Sequence, residues 1–231
     1  MINPQSEFRN PQFLWLVRHG ESTANLARLK AETEKLMTID FHEREPDVPL
    51  SEKGIGQSIA IGRWFKFQQQ KPTVIYSSPY LRTLESMRLI VENSRLSSIN
   101  IMQDERLRER ELGIFDRLTK LGAMQKYPEE CEKRERLGKF YHRPPGGESW
   151  IDVISRLRSF AHTEFSKMAG ERVLIITHEV VIRCFRYILE NLTEHEVLAI
   201  DRACDVANGA ITAYEFDENG CPKLYLDNIL P

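Results

Sequence analysis

Three short segments place arginine and histidine at the ends of apolar runs that are typical of buried strands. WLVRHGES carries Arg18 and His19, SSPYLR carries Arg82, and RVLIITHEVVIR carries His178. Because the carboxyl ends of parallel strands meet at one edge of a sheet, we expect these side chains to converge in one crevice. Arginine forks fit phosphate oxygens bidentately, and helix N-termini after Ser78 and near His178 would add N–H donors. The pattern predicts a phosphate pocket.

Apolar runs and helix-like segments alternate along the chain, as they do in βαβ units. The predicted strands are 13–17, 73–76, 99–102 and 173–177, followed by AITAYEF and LYLDNI, which we expect as two edge strands. This order predicts an α/β fold, a three-layer sandwich with a mainly parallel central sheet and helices on both faces. No repeat or linker divides residues 1–231, so we expect a single domain.

Serine residues mark the starts of three predicted helices, since a serine hydroxyl is a favourable N-cap. Ser51, Ser78 and Ser149 each precede a helix-like stretch. Two charge-rich segments, about 26–49 and 118–145, show the least pattern. Loops that follow strand ends wall the crevice of an open α/β sheet, so we expect these segments to lie over the pocket like lids.

Composition narrows the classes of partner. Lys and Arg number 32 against 34 Asp and Glu, a formal net charge of −2, so no global field would hold nucleic acid or an anionic membrane. No run approaches the ~18 apolar residues of a membrane span, and MINPQSEFRNPQ lacks the apolar core of a signal peptide. The four cysteines form no C-x-x-C pair and are too sparse for a disulfide framework. We expect a cytoplasmic protein; its oligomeric state is not encoded in any pattern we recognise.

The remaining histidines offer no second site. His42, His142, His162 and His195 have no partner at metal-ligand spacing, so we expect them at the surface or in packing. His142 belongs to FYHRPPGGES, a loop expected to face the crevice. Its neighbour Arg143 is therefore a candidate substrate contact.

Several segments together resemble the histidine phosphatase superfamily, which includes the cofactor-dependent phosphoglycerate mutases and fructose-2,6-bisphosphatase. The hallmark RHGE stands at 18–21, and PDVPLSEKG is similar to the signature before the family's first long helix. SSPYLRTLES is similar to the second arginine motif, and ERLRERELGIFD to the acid-bearing segment. The similarity extends from Leu16 to about Ile211.

The resemblance implies roles for the matching residues. His19 would be the nucleophile that accepts the phosphoryl group, and Arg18, Arg82 and His178 would hold the phosphoryl oxygens. Asn25 would support the pocket. Elementary chemistry agrees, because phosphoryl transfer needs fixed cations around the equatorial oxygens and a nucleophile in line with the leaving oxygen.

The sequence identifies the proton donor less clearly than it identifies the arginines and histidines of the pocket. Glu105, Glu109 and Glu111 crowd one segment, and spacing alone does not choose among them. The family pattern selects Glu109, which lies four residues before Gly113. A carboxyl group whose pKa is raised can protonate the leaving alcohol and then activate the water that hydrolyses phosphohistidine. Glu21 belongs to the hallmark and receives no direct chemical role.

These expectations favour a phosphatase that hydrolyses a small phosphorylated substrate through phosphohistidine, without a metal or other cofactor. The alternatives are a phosphoglycerate mutase and a non-catalytic phosphate-binding or scaffold protein. RELGIFDRL departs from the glycine- and lysine-bearing continuation of the mutases, and little chain follows LYLDNIL to form a closing tail. A pure binder, in turn, has no need for an acid such as Glu109 beside the leaving group.

Overall fold

The computed structural model describes residues 10–96 and 99–231. Most of the N-terminal segment on which the signal-peptide prediction depends, residues 1–9, lies outside the described residues. Within the described part of the chain, one sheet contains β1 (Phe13–Arg18), β2 (Val74–Ser77), β3 (Asn100–Gln103), β4 (Arg172–Thr177), β5 (Ile211–Phe216) and β6 (Pro222–Ile229).

The strand order is β3-β2-β4-β1-β5-β6. The first four strands pair in parallel, whereas β5 and β6 are antiparallel, so the prediction of a mainly parallel sheet is confirmed. The prediction of two closing edge strands was wrong for β5, which is buried between β1 and β6. The second edge of the sheet is β3, whose residues are mostly exposed.

Helices cover both faces of the sheet. They are α1 (Thr23–Thr33), α2 (Glu52–Phe67), α3 (Leu81–Ser94), α4 (Lys120–Lys126), α5 (Pro128–Tyr141), α6 (Trp150–Glu164), α7 (Glu179–Leu189) and α8 (Glu194–Ala203). Short 3-10 helices lie at Glu45–Asp47, Glu105–Leu107, Gly113–Phe115 and Phe165–Met168. None of the helices in the described ranges is both long and apolar enough to cross a membrane.

The sheet separates two apolar clusters, because successive side chains of a strand point to opposite faces. On β1, Leu16 belongs to the cluster that contains Leu157 of α6, while Val17 belongs to the cluster that contains Phe65 of α2 and Ile90 of α3. Strands buried on both faces read as continuous apolar runs, which is why they were predictable.

Two of the three predicted serine caps are present. The Ser51 hydroxyl accepts from the Gly54 N–H at 3.1 Å, and Ser149 forms a capping box at the start of α6. Ser78 is different: α3 begins at Leu81 after Tyr80, and the Ser78 side chain is turned toward another partner described below.

The two charge-rich segments contain more regular structure than their sequence indicates. The segment 26–49 includes most of α1 and the 3-10 helix Glu45–Asp47, and 118–145 includes α4 and α5. Phe140 is the one residue of α5 that is fully buried, so the helix has little apolar periodicity to detect. Residues before and within these segments line the mouth of the crevice.

Candidate active site

The carboxyl ends of β1, β2 and β4 bring their polar side chains together. Arg18 ends β1 and His19 follows it, Arg82 lies in the first turn of α3 after β2, and His178 lies between β4 and α7. The ring centroids of His19 and His178 are 5.1 Å apart, and the two rings meet edge to face. Arg18, His19 and Arg82 line a cleft of about 420 Å³, whereas His178 is fully buried just behind His19.

His19 is held as a neutral imidazole. Its Nδ1 lies 2.7 Å from the Gly20 carbonyl oxygen, to which it donates, and its Nε2 accepts from Arg82 Nε at 3.2 Å. Burial, reinforced by the charges of Arg82 and Arg18, holds the pKa of His19 well below its ordinary value of 6.5. The lone pair therefore resides on Nε2, the atom that faces the arginine.

Glycine at position 20 is required by a close backbone approach. A Cβ there would lie 2.3 Å from the Gly54 carbonyl oxygen at the start of α2, and a Cβ on Gly54 would lie 2.0 Å from the Glu21 carbonyl oxygen. Glu21 strengthens this junction by accepting from the Ser51 hydroxyl and from Lys53, both at 2.9 Å. Glu21, the acid of the RHGE motif, thus anchors α2 against the loop that follows β1 and carries His19, the histidine loop.

Both arginines of the predicted phosphate pocket, Arg18 and Arg82, already have anionic neighbours. Arg18 Nη1 lies 3.1 Å from a carboxylate oxygen of Glu179. Arg82 donates from Nη2 to the Glu45 carboxylate at 2.9 Å and from Nη1 to the Glu45 carbonyl oxygen at 2.7 Å. The guanidinium of Arg82 also lies over the ring of Tyr80, 5.0 Å from its centroid.

His178 contacts Ser78 through one ring nitrogen, and its other ring nitrogen has no hydrogen-bond partner among the described residues. Its Nε2 is 2.8 Å from the Ser78 hydroxyl oxygen, which accepts from the Tyr80 N–H at 3.3 Å and so can give its own proton to the ring. In the tautomer in which Ser78 donates, the proton of His178 is on Nδ1, which is buried and has no partner among the described residues. Burial holds the pKa of His178 well below 6.5, so the ring is neutral.

Two of the three candidate acids face the cleft. Glu109 and Glu111 line it, while Glu105 is exposed outside it. Burial raises the pKa of Glu109 despite the opposing charges of Arg82 and Arg18, and its Oε1 accepts from the Arg110 N–H at 2.9 Å. Glu111 instead accepts from the Tyr80 hydroxyl at 3.0 Å.

Asn25 supports the histidine loop indirectly. Its Oδ1 accepts from the Ser22 N–H at 3.0 Å, completing the capping box of α1, and from Asn208 Nδ2 at 3.3 Å. Asn208 donates in turn to the His19 carbonyl oxygen at 3.2 Å. Asn208 was not predicted from the sequence, because an asparagine in a loop before β5 belongs to no recognisable motif.

Arg143 does not reach the cleft. It is exposed, and its Nε donates to Asp152 in the first turn of α6 at 2.7 Å. The expected substrate contact therefore has no geometric basis, because the loop after α5 directs this side chain toward its own following helix. Nearby, His142 is buried and lies 3.2 Å from Glu130.

Several cleft residues were not predicted. Glu45, Tyr80, Arg28, Arg110, Asp116, Arg117 and Glu179 all line the cleft. A second cavity of about 660 Å³ adjoins it, sharing Arg28, Arg110, Leu112, Glu179 and Val180 as common lining. Among the residues with described placement, no group of three or more His, Cys, Asp or Glu side chains is arranged to hold a metal ion.

The family model of the histidine phosphatase superfamily (branch 1) matches residues 14–228. A 2,3-bisphosphoglycerate-dependent phosphoglycerate mutase of Methylobacterium radiotolerans is 33% identical over 188 residues, covering 80% of this chain and 82% of its own.

Solved structures share the fold. Bacillus stearothermophilus YhfR superimposes with a TM-score of 0.74 at 25% identity, covering 94% of this chain and 96% of its own. The alpha-ribazole phosphatase of Shigella flexneri superimposes with a TM-score of 0.72 at 17% identity, covering 95% of this chain and 98% of its own. At that identity the second likeness concerns the fold alone.

Proposed function

The chain belongs to the histidine phosphatase superfamily, branch 1, and from this membership and the geometry of its cleft we propose that it is a metal-independent phosphatase acting on a small phosphoester through phosphohistidine. One observation carries the proposal: His19 and Glu109 line the same cleft. His19 is neutral with the lone pair of its Nε2 toward Arg82, and the pKa of the Glu109 carboxyl group is raised.

In the first half-reaction, Arg18 and Arg82 bind the equatorial phosphoryl oxygens, and the Nδ1–H of His178 supplies a further donor. His19 Nε2 attacks phosphorus in line with the ester oxygen, so an N–P bond forms while the P–O ester bond breaks. Glu109 gives its proton to the departing alcohol oxygen. The alcohol leaves, and Glu109 remains as a carboxylate.

In the second half-reaction, the Glu109 carboxylate takes a proton from water while the water oxygen bonds to phosphorus. The N–P bond breaks, inorganic phosphate forms, and His19 returns to its neutral form. Throughout, Nδ1–H of His19 stays bonded to the Gly20 carbonyl, which keeps Nε2 as the reacting nitrogen.

A phosphoglycerate mutase is the second candidate, because a relative 33% identical to this chain is a 2,3-bisphosphoglycerate-dependent phosphoglycerate mutase. The charge of the cleft supports the phosphatase. Five arginines line the cleft (Arg18, Arg28, Arg82, Arg110, Arg117), and four carboxylates oppose them (Glu45, Glu111, Asp116, Glu179) while Glu109 holds its proton. A mutase must retain a bisphosphate at both ends of its site, and a surplus of one positive charge is small for a second phosphate.

The deciding experiment follows 3-phosphoglycerate with and without 2,3-bisphosphoglycerate and measures both isomerisation and free phosphate. We expect phosphate release, unaffected by a metal chelator, from 3-phosphoglycerate or from other members of a panel of phosphorylated metabolites, with His19→Ala as the blank. Rapid isomerisation that depends on the bisphosphate and releases little phosphate would establish the mutase instead. Activity lost in EDTA and restored by a divalent ion would contradict metal independence.

A further inference from the structure

Every nitrogen of the Arg82 guanidinium donates to an acceptor of the protein itself. Nε donates to His19, and the two outer nitrogens donate to the carboxylate and the carbonyl oxygen of Glu45. The outer pair is the part of the fork that binds a phosphate bidentately. Glu45 therefore holds the positions on Arg82 that phosphoryl oxygens would take.

The two partners differ in how firmly the fold fixes them. Arg82 projects from α3, and its side chain is 4% exposed, whereas the Glu45 side chain is 35% exposed and belongs to a short 3-10 helix within a surface loop. Elsewhere this loop is held by Arg117, whose guanidinium donates to the Phe41 and Glu43 carbonyl oxygens at 2.7 Å. Glu45 can therefore leave Arg82 while Arg117 keeps the loop over the cleft.

We propose that Glu45 is an internal competitor for the phosphate site, and that substrate binding exchanges its carboxylate on Arg82 for the oxygens of the phosphoryl group. The proposal rests on the proposed function, because it takes the Arg82 fork as the place where the phosphoester binds. It makes Glu45 the residue that sets substrate affinity and assists the departure of inorganic phosphate after each turnover.

A receiving cation lies in the same cleft. Arg28 on α1 lines the cleft and has no carboxylate within 4.0 Å among the described residues. Burial raises the pKa of Glu45 and the nearby Asp116 adds to that effect, whereas the positive charges of Arg82 and Arg28 favour its ionised form. When it leaves Arg82, the Glu45 carboxylate pairs with Arg28. The negative charge of Glu45 thus moves from one arginine of the cleft to another and is not left unpaired.

Glu179 does not share this role. It lies at the first position of α7, where its carboxylate pairs with Arg18 at 3.1 Å and with the buried Arg183 at 3.4 Å. A carboxylate at a helix N-terminus with two arginine partners is fixed. Of the two acids that pair with phosphate-pocket arginines, only Glu45 is carried by a loop.

The test compares wild type, Glu45→Gln and Glu45→Ala. Inhibition by inorganic phosphate, phosphate binding by calorimetry, and KM for a hydrolysed phosphoester are measured in each protein. We expect both variants to bind phosphate about tenfold more tightly and to lower KM by a similar factor, because the competing charge is gone. A merely structural role for Glu45 predicts the opposite, a higher KM, because the loop loses an anchor.

Asp47→Asn is the matched control. Asp47 lies in the same 3-10 helix, but its carboxylate pairs with the exposed Arg44 at 2.6 Å and has no contact with Arg82. Phosphate binding should match wild type in this variant. Unchanged or weaker phosphate binding in both Glu45 variants, in an enzyme that hydrolyses phosphoesters, would overturn the proposal alone. Absence of hydrolysis in the wild type would instead overturn the proposed function.

Discussion

Arg82 and His19 are joined by one hydrogen bond, from the guanidinium Nε to the imidazole Nε2, at 3.2 Å. The outer nitrogens of the same guanidinium donate to Glu45, at the position where the proposed mechanism binds a phosphoryl group. In that mechanism one side chain both aims the nucleophile and forms the anion site. Arg82 is buried in the first turn of α3, so the fold fixes its position before any substrate binds.

Arg82→Lys tests this double role. Lysine keeps the charge but has one nitrogen in place of three, so it cannot contact His19 and grip phosphate bidentately at once. We expect kcat/KM to fall at least ~10-fold, about 1.4 kcal/mol of transition-state stabilisation. Arg88→Lys is the control, since Arg88 is on the exposed side of the same helix and pairs with Glu92. Wild-type kinetics in Arg82→Lys would remove Arg82 from the mechanism.

A covalent intermediate on His19 is the second prediction. A turnover stopped rapidly in alkali with labelled substrate should trap acid-labile phosphate on the protein, because a neutral imidazole whose Nε2 carries no proton is a nucleophile toward phosphorus. His19→Ala should lose the label. His195→Ala should keep it, because His195 lies on α8 and does not line the cleft. Label retained in full by His19→Ala would place the nucleophile elsewhere.

Glu109 should control the alkaline side of the pH profile. The pKa of His19 is lowered, so its reactive neutral form exists above that pKa and produces the rising acid limb. The pKa of Glu109 is raised, so its proton-donating form is lost as pH increases through that pKa, which produces the falling limb. Glu109→Gln should lose the falling limb and about 10²-fold in kcat/KM on an alkyl phosphate. The loss should be smaller on p-nitrophenyl phosphate, whose leaving group departs without a proton.

Comparison of the three glutamates completes that experiment. Glu105→Gln should behave as wild type, because Glu105 is exposed outside the cleft. Glu111→Gln replaces the carboxylate that accepts from the Tyr80 hydroxyl with an amide oxygen that can still accept, and it should keep the falling limb. If Glu111→Gln abolished that limb and Glu109→Gln did not, Glu111 would be the acid.

The parts of the fold that the sequence predicted are those governed by local or strand-level patterns. Apolar runs located β1, β2 and β4, and the residues at their ends, Arg18 and His178, followed from the parallel arrangement. Glu45 and Asn208 could not be predicted in this way, because each reaches the site from a loop whose path depends on tertiary contacts. Arg143 shows the converse error: nearness to a loop does not fix where a side chain points.

The junction between the histidine loop and α2 gives the last prediction. A Cβ on Gly54 would lie 2.0 Å from the Glu21 carbonyl oxygen, and backbone on both sides leaves nothing flexible to yield. Gly56, two residues further on the same helix, is exposed, and a Cβ there would have no atom within 4 Å. Gly54→Ala should lower the free energy of unfolding by about 1–3 kcal/mol, as overpacking does, and should reduce turnover because the loop that aims His19 must shift. Gly56→Ala should raise it by about 0.5–1 kcal/mol through helix propensity alone and leave turnover unchanged. The measurements are urea unfolding and kcat for both variants. Equal effects of the two substitutions would mean that the histidine loop and α2 are not in this close contact.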